Sequence, residues 1–503
     1  MALPSARAAE PARPASSPSS SATQNAVILL TTIGTLMVAV DSTIVILALP
    51  TMANELVAPI SSVIWTILIY LLITAALTTQ AGRVGDMFGR ATIYNLGFAI
   101  FTIGSLAAGL ATDVNVLIAA RAVQAIGGAF LFANSGALVA AAFPPDRRGR
   151  AFGFLVFGWS VGAILGILLG GAITTLIGWR YIFFINVPIG VVAIALGIRA
   201  LPQTPTERPT FDWPGFALFS AMLGLICYGA IEFAVYGSSI TNLAYVVVGL
   251  VLVPVFVLVE LRQKAPMLDL RPLKGRLLGF SLLAAFLQAT GYLAVIFLLT
   301  MYLQGLRGLS PLDASLLLVP GYLLGAAAGP FMGRRVDVYG ARALATTGIL
   351  CMAIAVVAYS TFTLTTWLGW IPLISLVTGV GSGMFYPANN TAIMSQATPR
   401  TFGSLSGLRA TVSNMGTLLS FVISITIASA SVPRDVAYAV FLGTNNAIGG
   451  LGPQFLDGIR GALWGSAALL ALAAVLSWSR GPSTAVSPSA APSSRPPAAP
   501  GDP

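Results

Sequence analysis

Charged side chains are so scarce in this chain that each one inside an apolar run needs a reason. Of 503 residues, 26 are Lys or Arg, 16 are Asp or Glu, and none is His. Asp41 interrupts the apolar run 26–49, and Arg121 interrupts the run 114–142. If these runs cross a bilayer, an ionised group near the centre costs about 2.5–3.5 kcal/mol on the insertion scale. Asp41 precedes Pro50 by nine residues, roughly 13 Å at 1.5 Å per residue. Arg121 lies seven residues into a run of opposite direction, roughly 10 Å from the same surface. A carboxyl group and a guanidinium therefore share one depth. A dry carboxyl group keeps its proton and one beside a cation gives it up, so a pair whose spacing or hydration changes can move a proton. With His absent, any proton relay has to run through carboxylates. A cationic solute could compete for Asp41. The plain structural alternative is a static ion pair that fixes helix register.

Other polar groups inside apolar runs are candidates for lining a cavity. They are Glu232 near the end of the seventh run and, in the second half, Gln288, Tyr292, Tyr386, Asn390 and Asn414. Hydrogen bonding between helices is the competing role for each of these. Arg409 lies about two turns inside its run and is expected to snorkel to the nearer surface. Asp313 and Glu260 fall at the ends of runs and are expected to be solvated. No acid lies deep in the second half, so proton handling is concentrated in the first. Cys227 and Cys351 stand singly and form neither a disulfide framework nor a metal site. The chain has no paired Cys or His ligand set and no Gly-x-x-x-x-Gly-Lys-Ser/Thr phosphate loop, so the reading is not an enzyme and carries no cofactor.

The elements that must position these residues are membrane helices. Charged residues make up 8% of the chain and hydrophobic residues 56%, with mean hydropathy +0.88. A soluble domain carries about 25% charged residues to solvate its surface. The apolar runs are too continuous for the alternating strands of a membrane barrel. Fourteen have the ~20 residues that a span requires: 26–49, 61–81, 91–111, 114–142, 151–176, 181–200, 214–235, 243–261, 277–303, 314–332, 343–362, 367–388, 403–428 and 461–478. Loops after even-numbered spans hold Arg83, Arg90, Arg147, Arg148, Arg150, Arg199, Arg208, Arg262, Lys264, Arg271, Lys274, Arg276, Arg334, Arg335, Arg342 and Arg400. Loops after odd-numbered spans hold only Arg180, Arg307, Arg434 and Arg460. The asymmetry places both termini in the cytoplasm. It also excludes a nucleic-acid-binding stripe as the meaning of the +10 net charge. Segments 1–25 and 481–503, rich in Ser, Pro and Ala, are expected to be disordered tails.

The loop after the second span reads Gly82-Arg-Val-Gly-Asp86-Met-Phe-Gly89-Arg90, and that after the tenth reads Gly333-Arg-Arg-Val-Asp337-Val-Tyr-Gly340-Ala-Arg342. In both, Gly precedes the Asp by four residues and follows it by three. The chain is thus expected to contain two related six-helix bundles, 26–200 and 277–480, around a linker and inserted helix pair, 201–276. Parallel repeats of this kind build one large class of transporters. The acid and the arginine of each loop are expected to act as a gate, the arginine pairing across the bundle.

Three further segments complete a resemblance. They are Asp41-Ser-Thr-Ile-Val-Ile-Leu-Ala-Leu-Pro50, then Arg121-Ala-Val-Gln124-Ala-Ile-Gly127-Gly128, and Gly178-Trp-Arg-Tyr-Ile-Phe-Phe-Ile-Asn186-Val-Pro188-Ile-Gly190. With the two loops, they make nearly all of 26–478 resemble the major facilitator superfamily. Within it, the chain is similar to the fourteen-span drug:proton antiporters. The resemblance implies an all-α polytopic membrane protein of the major facilitator fold. It implies a secondary transporter in the cell membrane that exports small hydrophobic or cationic compounds by alternating access. A proton gradient supplies the energy, Asp41 and Arg121 couple it, and the working unit is a monomer. Two positions depart from the pattern. Ile46 replaces the usual Asn of the first span, and Ile167 replaces the proline of a Gly-Pro antiporter motif within the glycine-spaced run Gly158, Gly162, Gly166, Gly170. An importer of a small polar solute or a membrane sensor stays open beside the exporter.

Overall fold

In a medium without water, every backbone N–H and C=O has to be satisfied within its own segment, so the apolar runs become helices. The computed structural model describes residues 21–202, 212–236, 239–264, 266, 268, 270–271, 275–396, 402–430 and 452–481. In the first half, α1 is Ser21–Glu55, α2 Ile60–Phe88, α3 Arg90–Gly109, α4 Val114–Ala142, α5 Pro145–Leu176 and α6 Asn186–Ala200, the last entered by a single turn, Tyr181–Phe184. Next come α7, Trp213–Tyr236, and α8, Ile240–Arg262. The second half comprises α9 Arg276–Tyr292, α10 Pro311–Tyr339, α11 Ala341–Ser360, α12 Trp370–Met394, α13 Phe402–Ser429 and α14 Gly452–Ser479. No strand occurs among the described residues. Among the described residues, thirteen helical segments are long and apolar enough to cross a membrane. The bent helix α2, turning 55° between Ser62–Thr78 and Gln80–Phe88, makes the fourteenth.

The first helix begins at Ser21, so residues 21–25, expected in a disordered tail, are helical. Gln24 donates to the carbonyl of Ala142 at 3.2 Å, which ties this extra turn to the end of α4. Residues 1–20 and 482–503 of the expected tails lie outside the described residues. Because successive helices alternate in direction, the two ends of the described chain share one face, here called the terminal face.

The packing repeats itself. In the first half α1 lies on α5, α2 on α4, and α3 on α4 and α6. In the second half α9 lies on α13, α10 on α12, and α11 on α12 and α14. The halves meet through two equivalent pairs, α5 with α10 and α2 with α13. Both repeated loops shrink to a single glycine, Gly89 (φ 91°) between α2 and α3 and Gly340 (φ 79°) between α10 and α11. A side chain at either would be strained in that left-handed backbone, so the matched spacing of the glycines is a requirement of the turn.

Helix ends are closed locally. Asp113 accepts the N–H groups of Asn115 and Val116 at the start of α4, at 2.9 and 3.1 Å. Ser239 and Ser310 cap α8 and α10 in the same way. Past Tyr292, α9 breaks and continues as Val295–Thr300 and a π-turn, Met301–Leu306. The Ser420 hydroxyl accepts the Ala294 N–H at the break, at 2.9 Å, so no buried donor is stranded.

On the face away from the termini the halves are tied directly. Gln304 donates to the Leu47 carbonyl at 3.2 Å, and the Leu312 N–H to the Thr175 hydroxyl at 3.2 Å. Toward the terminal face the inserted pair stands between them. Phe219, Met222 and Leu223 of α7 and Phe256 of α8 form one apolar cluster with Ala75 and Ala76 of α2, Leu282 of α9 and Leu408 of α13.

Candidate functional site

Asp41 and Arg121 meet. Asp41 sits six turns into α1 and Arg121 two turns into the antiparallel α4, and both side chains are within 2% of complete burial. Arg121 Nη1 donates to Asp41 Oδ1 at 2.8 Å and Oδ2 at 2.6 Å. Gln124, one turn along the same face of α4, donates to Asp41 Oδ1 at 2.9 Å and accepts from Arg121 Nη1 at 2.6 Å. Arg121 Nε donates to the Thr66 carbonyl of α2 at 3.0 Å. The guanidinium lies over the Tyr70 ring, 4.4 Å from its centroid, a favourable face for a cation. Gly128 makes that stacking possible, since a Cβ there would stand 2.6 Å from the Tyr70 hydroxyl oxygen.

The pair heads a longer network. Gln124 also donates to Ser105 Oγ at 3.2 Å. Ser105 receives Asn186 Nδ2 at 3.0 Å and donates to the Phe183 carbonyl at 2.9 Å. Gln124, Ser105 and Asn186 thus belong to the site although only Asp41 and Arg121 stood out as charges. The signal for Gln124 was its i, i+3 spacing from Arg121, which puts both on one helix face. A buried ion pair whose two carboxylate oxygens are both hydrogen-bonded can hold helix register, and it can act as a proton site once water reaches it.

The glycine spacing of α5 sets where Asp41 stands. A Cβ at Gly158, Gly162, Gly166 or Gly170 would lie 2.9, 2.8, 2.6 and 2.7 Å from the carbonyl oxygens of Thr32, Leu36, Val40 and Ile44. These carbonyls climb α1 in steps of four, one helix turn each, so the two backbones touch along their length. Close packing is therefore the work of this stripe. Ile167 is fully buried and α5 runs on as an unbroken helix there. Ile46 is buried in the core shared by the two halves.

In the first gating loop Arg90 bonds Asp86 four residues earlier, at 2.7 Å, with both side chains about one-third exposed, an arrangement that contributes under about 1 kcal/mol. Gly82 has open space where a Cβ would go, and Gly333 is nearly as open. Arg342 stacks on Trp478 of α14, 4.0 Å from the ring centroid. The side chain of Asp337 lies outside the described residues. Arg480, which sequence reasoning left at the edge of the tail, is 2% exposed. It donates to Asn389 Oδ1 at 2.8 Å, to Ser281 Oγ at 3.3 Å and to the Ala341 carbonyl, fastening α14 to α9, α11 and α12. Burial and the neighbouring Arg342 cation lower its pKa to about 10.

Glu260 overturns the expectation of a solvated helix end, being 1% exposed. Its Oε2 accepts the Leu268 N–H at 3.1 Å, and Asp212 Oδ1 accepts the Gly215 N–H at 2.9 Å. The remaining oxygens of both carboxylates converge on Gly215, where a Cβ would collide with each. Arg83 of the first gating loop acts on both acids and donates to the Pro266 carbonyl. The segments flanking the inserted pair are thereby fastened beneath α2.

Of the cavity candidates, the structure brings Gln288 and Tyr386 together, at 3.4 Å, with Tyr292 one turn above Gln288 on α9. Tyr386 is 38% exposed. Asn390 and Asn414 are half-buried on α12 and α13. Glu232 stands apart from this group, because α7 packs on α8, α13 and α2. Arg409 is half-buried on α13.

The model of the Major Facilitator Superfamily matches residues 31–421 and again 282–501. The chain belongs to this superfamily. Among curated relatives, it is 30% identical to the riboflavin transporter RibZ of Clostridioides difficile over 82% of this chain and 89% of that one. It is 28% identical to the tetracenomycin C resistance and export protein of Streptomyces glaucescens, over 77% of this chain and 73% of that one. Among solved structures, it shares the fold of a bacterial homologue of the human lysosomal transporter Spinster, crystallised inward-facing and unoccupied. That match has 18% identity and a TM-score of 0.61, and it covers 92% of this chain and 97% of the other. The family and fold are those of multi-pass membrane transporters.

Proposed function

We propose that this transporter exports small hydrophobic organic molecules from the cytoplasm in exchange for protons, with its terminal face cytoplasmic and its place the cell membrane. The observation that carries the reading is the dry Asp41–Arg121–Gln124 unit between α1 and α4. A proton arriving at Asp41 removes the charge that holds Arg121, and the guanidinium is then left with Gln124, the Thr66 carbonyl and the Tyr70 ring. Removing one partner from a buried pair costs about 3–5 kcal/mol. A proton crossing ~100 mV releases about 2.3 kcal/mol, the same order, so the gradient has the capacity to drive this rearrangement. Both Asp41 oxygens are engaged, so a cationic substrate finds that carboxylate only after Arg121 lets go. The export direction is supported by the tetracenomycin C export relative.

A second reading, movement of a polar heteroaromatic solute, is favoured by the riboflavin transporter relative and by the Gln288–Tyr386 contact. Everted membrane vesicles separate the two. With an acidic lumen, an exporter by antiport accumulates a neutral lipophilic dye such as N-phenyl-1-naphthylamine inside, several-fold above vesicles lacking the protein, while the lumen loses acid. A proton-coupled importer instead empties such vesicles of its solute.

A further inference from the structure

Three arginines gather at the terminal-face end of α14, where Trp478, Ser479 and Arg480 follow one another. Arg342, at the start of α11, lays its guanidinium over the Trp478 ring, 4.0 Å from the centroid. Arg276, the first residue of α9, donates from Nε to the Ser479 carbonyl at 3.0 Å. Arg480 donates to Asn389 Oδ1, to Ser281 Oγ and to the carbonyl of Ala341, the residue before Arg342. Every one of these partners is neutral. Among the described residues no carboxylate forms an ion pair with any of the three arginines. No Asp or Glu occurs in α9, α11 or α12, and the single acid of α14, Asp457, stands near its opposite end beside Arg460. Nε of Arg342 and Nε of Arg480 are both buried, with no acceptor among the described residues.

The C-terminus of a helix supplies only about half an elementary charge of opposite sign, so the end of α14 leaves most of three positive charges unbalanced. Arg276 is exposed and water can answer it. Arg480 is 2% exposed, and water cannot. Its charge is fixed behind the half-buried Arg342, so the two act on whatever reaches Arg342 and Arg276 from outside. Guanidinium groups take phosphate oxygens in pairs, which makes a phosphate the fitting counter-charge. The adjoining surface says which phosphate. Trp478 is exposed, and so are Val475 and Leu472, three and six residues deeper in α14. Tryptophan sits at the headgroup level of a bilayer, and the apolar strip leading away from it is bathed by acyl chains. A soluble phosphate has no use for that strip, whereas a phospholipid covers both parts at once.

We infer that this corner binds the phosphate headgroup of an anionic phospholipid, held by Arg342 and Arg276 with Arg480 behind them, its acyl chains lying along Trp478, Val475 and Leu472. Basic pockets between membrane helices take headgroups in this way. The bound lipid joins the starts of α9 and α11 to the end of α14. It lies outside the Asp41 network, so it is independent of the substrate and the direction of transport.

Native mass spectrometry of the full chain in detergent, titrated with phosphatidylglycerol and with phosphatidylcholine of the same acyl chains, reads the affinity for each. Phosphatidylglycerol is expected to bind about tenfold more tightly. Arg276→Gln combined with Arg342→Gln should bring phosphatidylglycerol down to the level of phosphatidylcholine and leave phosphatidylcholine within about twofold, while Arg342→Lys alone keeps most of the preference. Equal affinity of the parent for the two lipids overturns the inference, and so does a preference that survives in the double variant. Glycerol 3-phosphate carries the phosphate without the chains and is expected to displace little phosphatidylglycerol at equal concentration. Displacement as complete as that by phosphatidylglycerol itself would make a free phosphate the ligand and overturn the lipid assignment. Should the double variant fail to fold, Arg276→Gln alone, at an exposed side chain, is expected to lower the preference about threefold, and an unchanged preference there overturns the inference.

Discussion

Arg121→Met is expected to destabilise the purified protein by about 3–5 kcal/mol, because it leaves the Asp41 carboxylate buried with Gln124 as its remaining donor. Methionine matches the length of arginine and fills most of its volume, so the loss reports the missing charge and hydrogen bonds more than a cavity. Thr66 loses its carbonyl partner and Tyr70 its cation in the same step. A melting temperature lowered by at least about 5 °C in detergent is the expected readout, scaled from domains of comparable size to one half. Adding Asp41→Asn to Arg121→Met should recover much of the loss, since no unpaired charge then remains. A double variant no more stable than Arg121→Met alone would show that the pair contributes shape and not charge.

The second large effect belongs to the α1–α5 contact. Gly166→Val places a Cβ 2.6 Å from the Val40 carbonyl oxygen, which is backbone and cannot rotate away. Either α1 or α5 must retreat, at a cost of about 1–3 kcal/mol or more for overpacking. The retreat shifts Asp41, the residue after Val40, off Arg121. Transport is expected to fall at least tenfold while the protein still reaches the membrane. Gly153→Ala, on the same helix with nothing within 4 Å, is the control and should be neutral in both respects. Normal transport by folded Gly166→Val would mean that the helix contact does not set the position of Asp41.

Much of this architecture was legible in the sequence because lipid imposes simple rules. Continuous apolar runs had to be helices, and the two charges fell at matched depth on antiparallel helices, where the resemblance brought those helices together. Two glycines three residues past an acid had to be turns, and the positive φ of Gly89 and Gly340 shows why. What escaped depended on distant partners. Glu260 reads locally as a helix end in water, and only the fold brings Asp212, Gly215 and Leu268 over it. Arg480 sits where the apolar pattern stops, yet three other helices converge on it. Gln124 and Asn186 stood out only within the segments that carry the resemblance and Ser105 not at all, because neutral groups carry no comparable desolvation cost, although all three complete the polar network around Asp41. Arg90 pairs with Asp86 across the Gly89 turn, a contact set by the turn's geometry.

The claim that matters most is that Asp41 carries the proton. It is tested by reconstituting the parent and Asp41→Asn in liposomes with an imposed proton gradient and a pH-sensitive dye inside. A panel of neutral, cationic and anionic lipophilic compounds is then added to each. Asn keeps the shape of Asp41 and can still face Gln124, so a folded variant is expected to bind substrate yet show no substrate-dependent proton movement, while the parent shows it for at least one compound. Proton movement persisting in Asp41→Asn at the parent's rate would contradict the account.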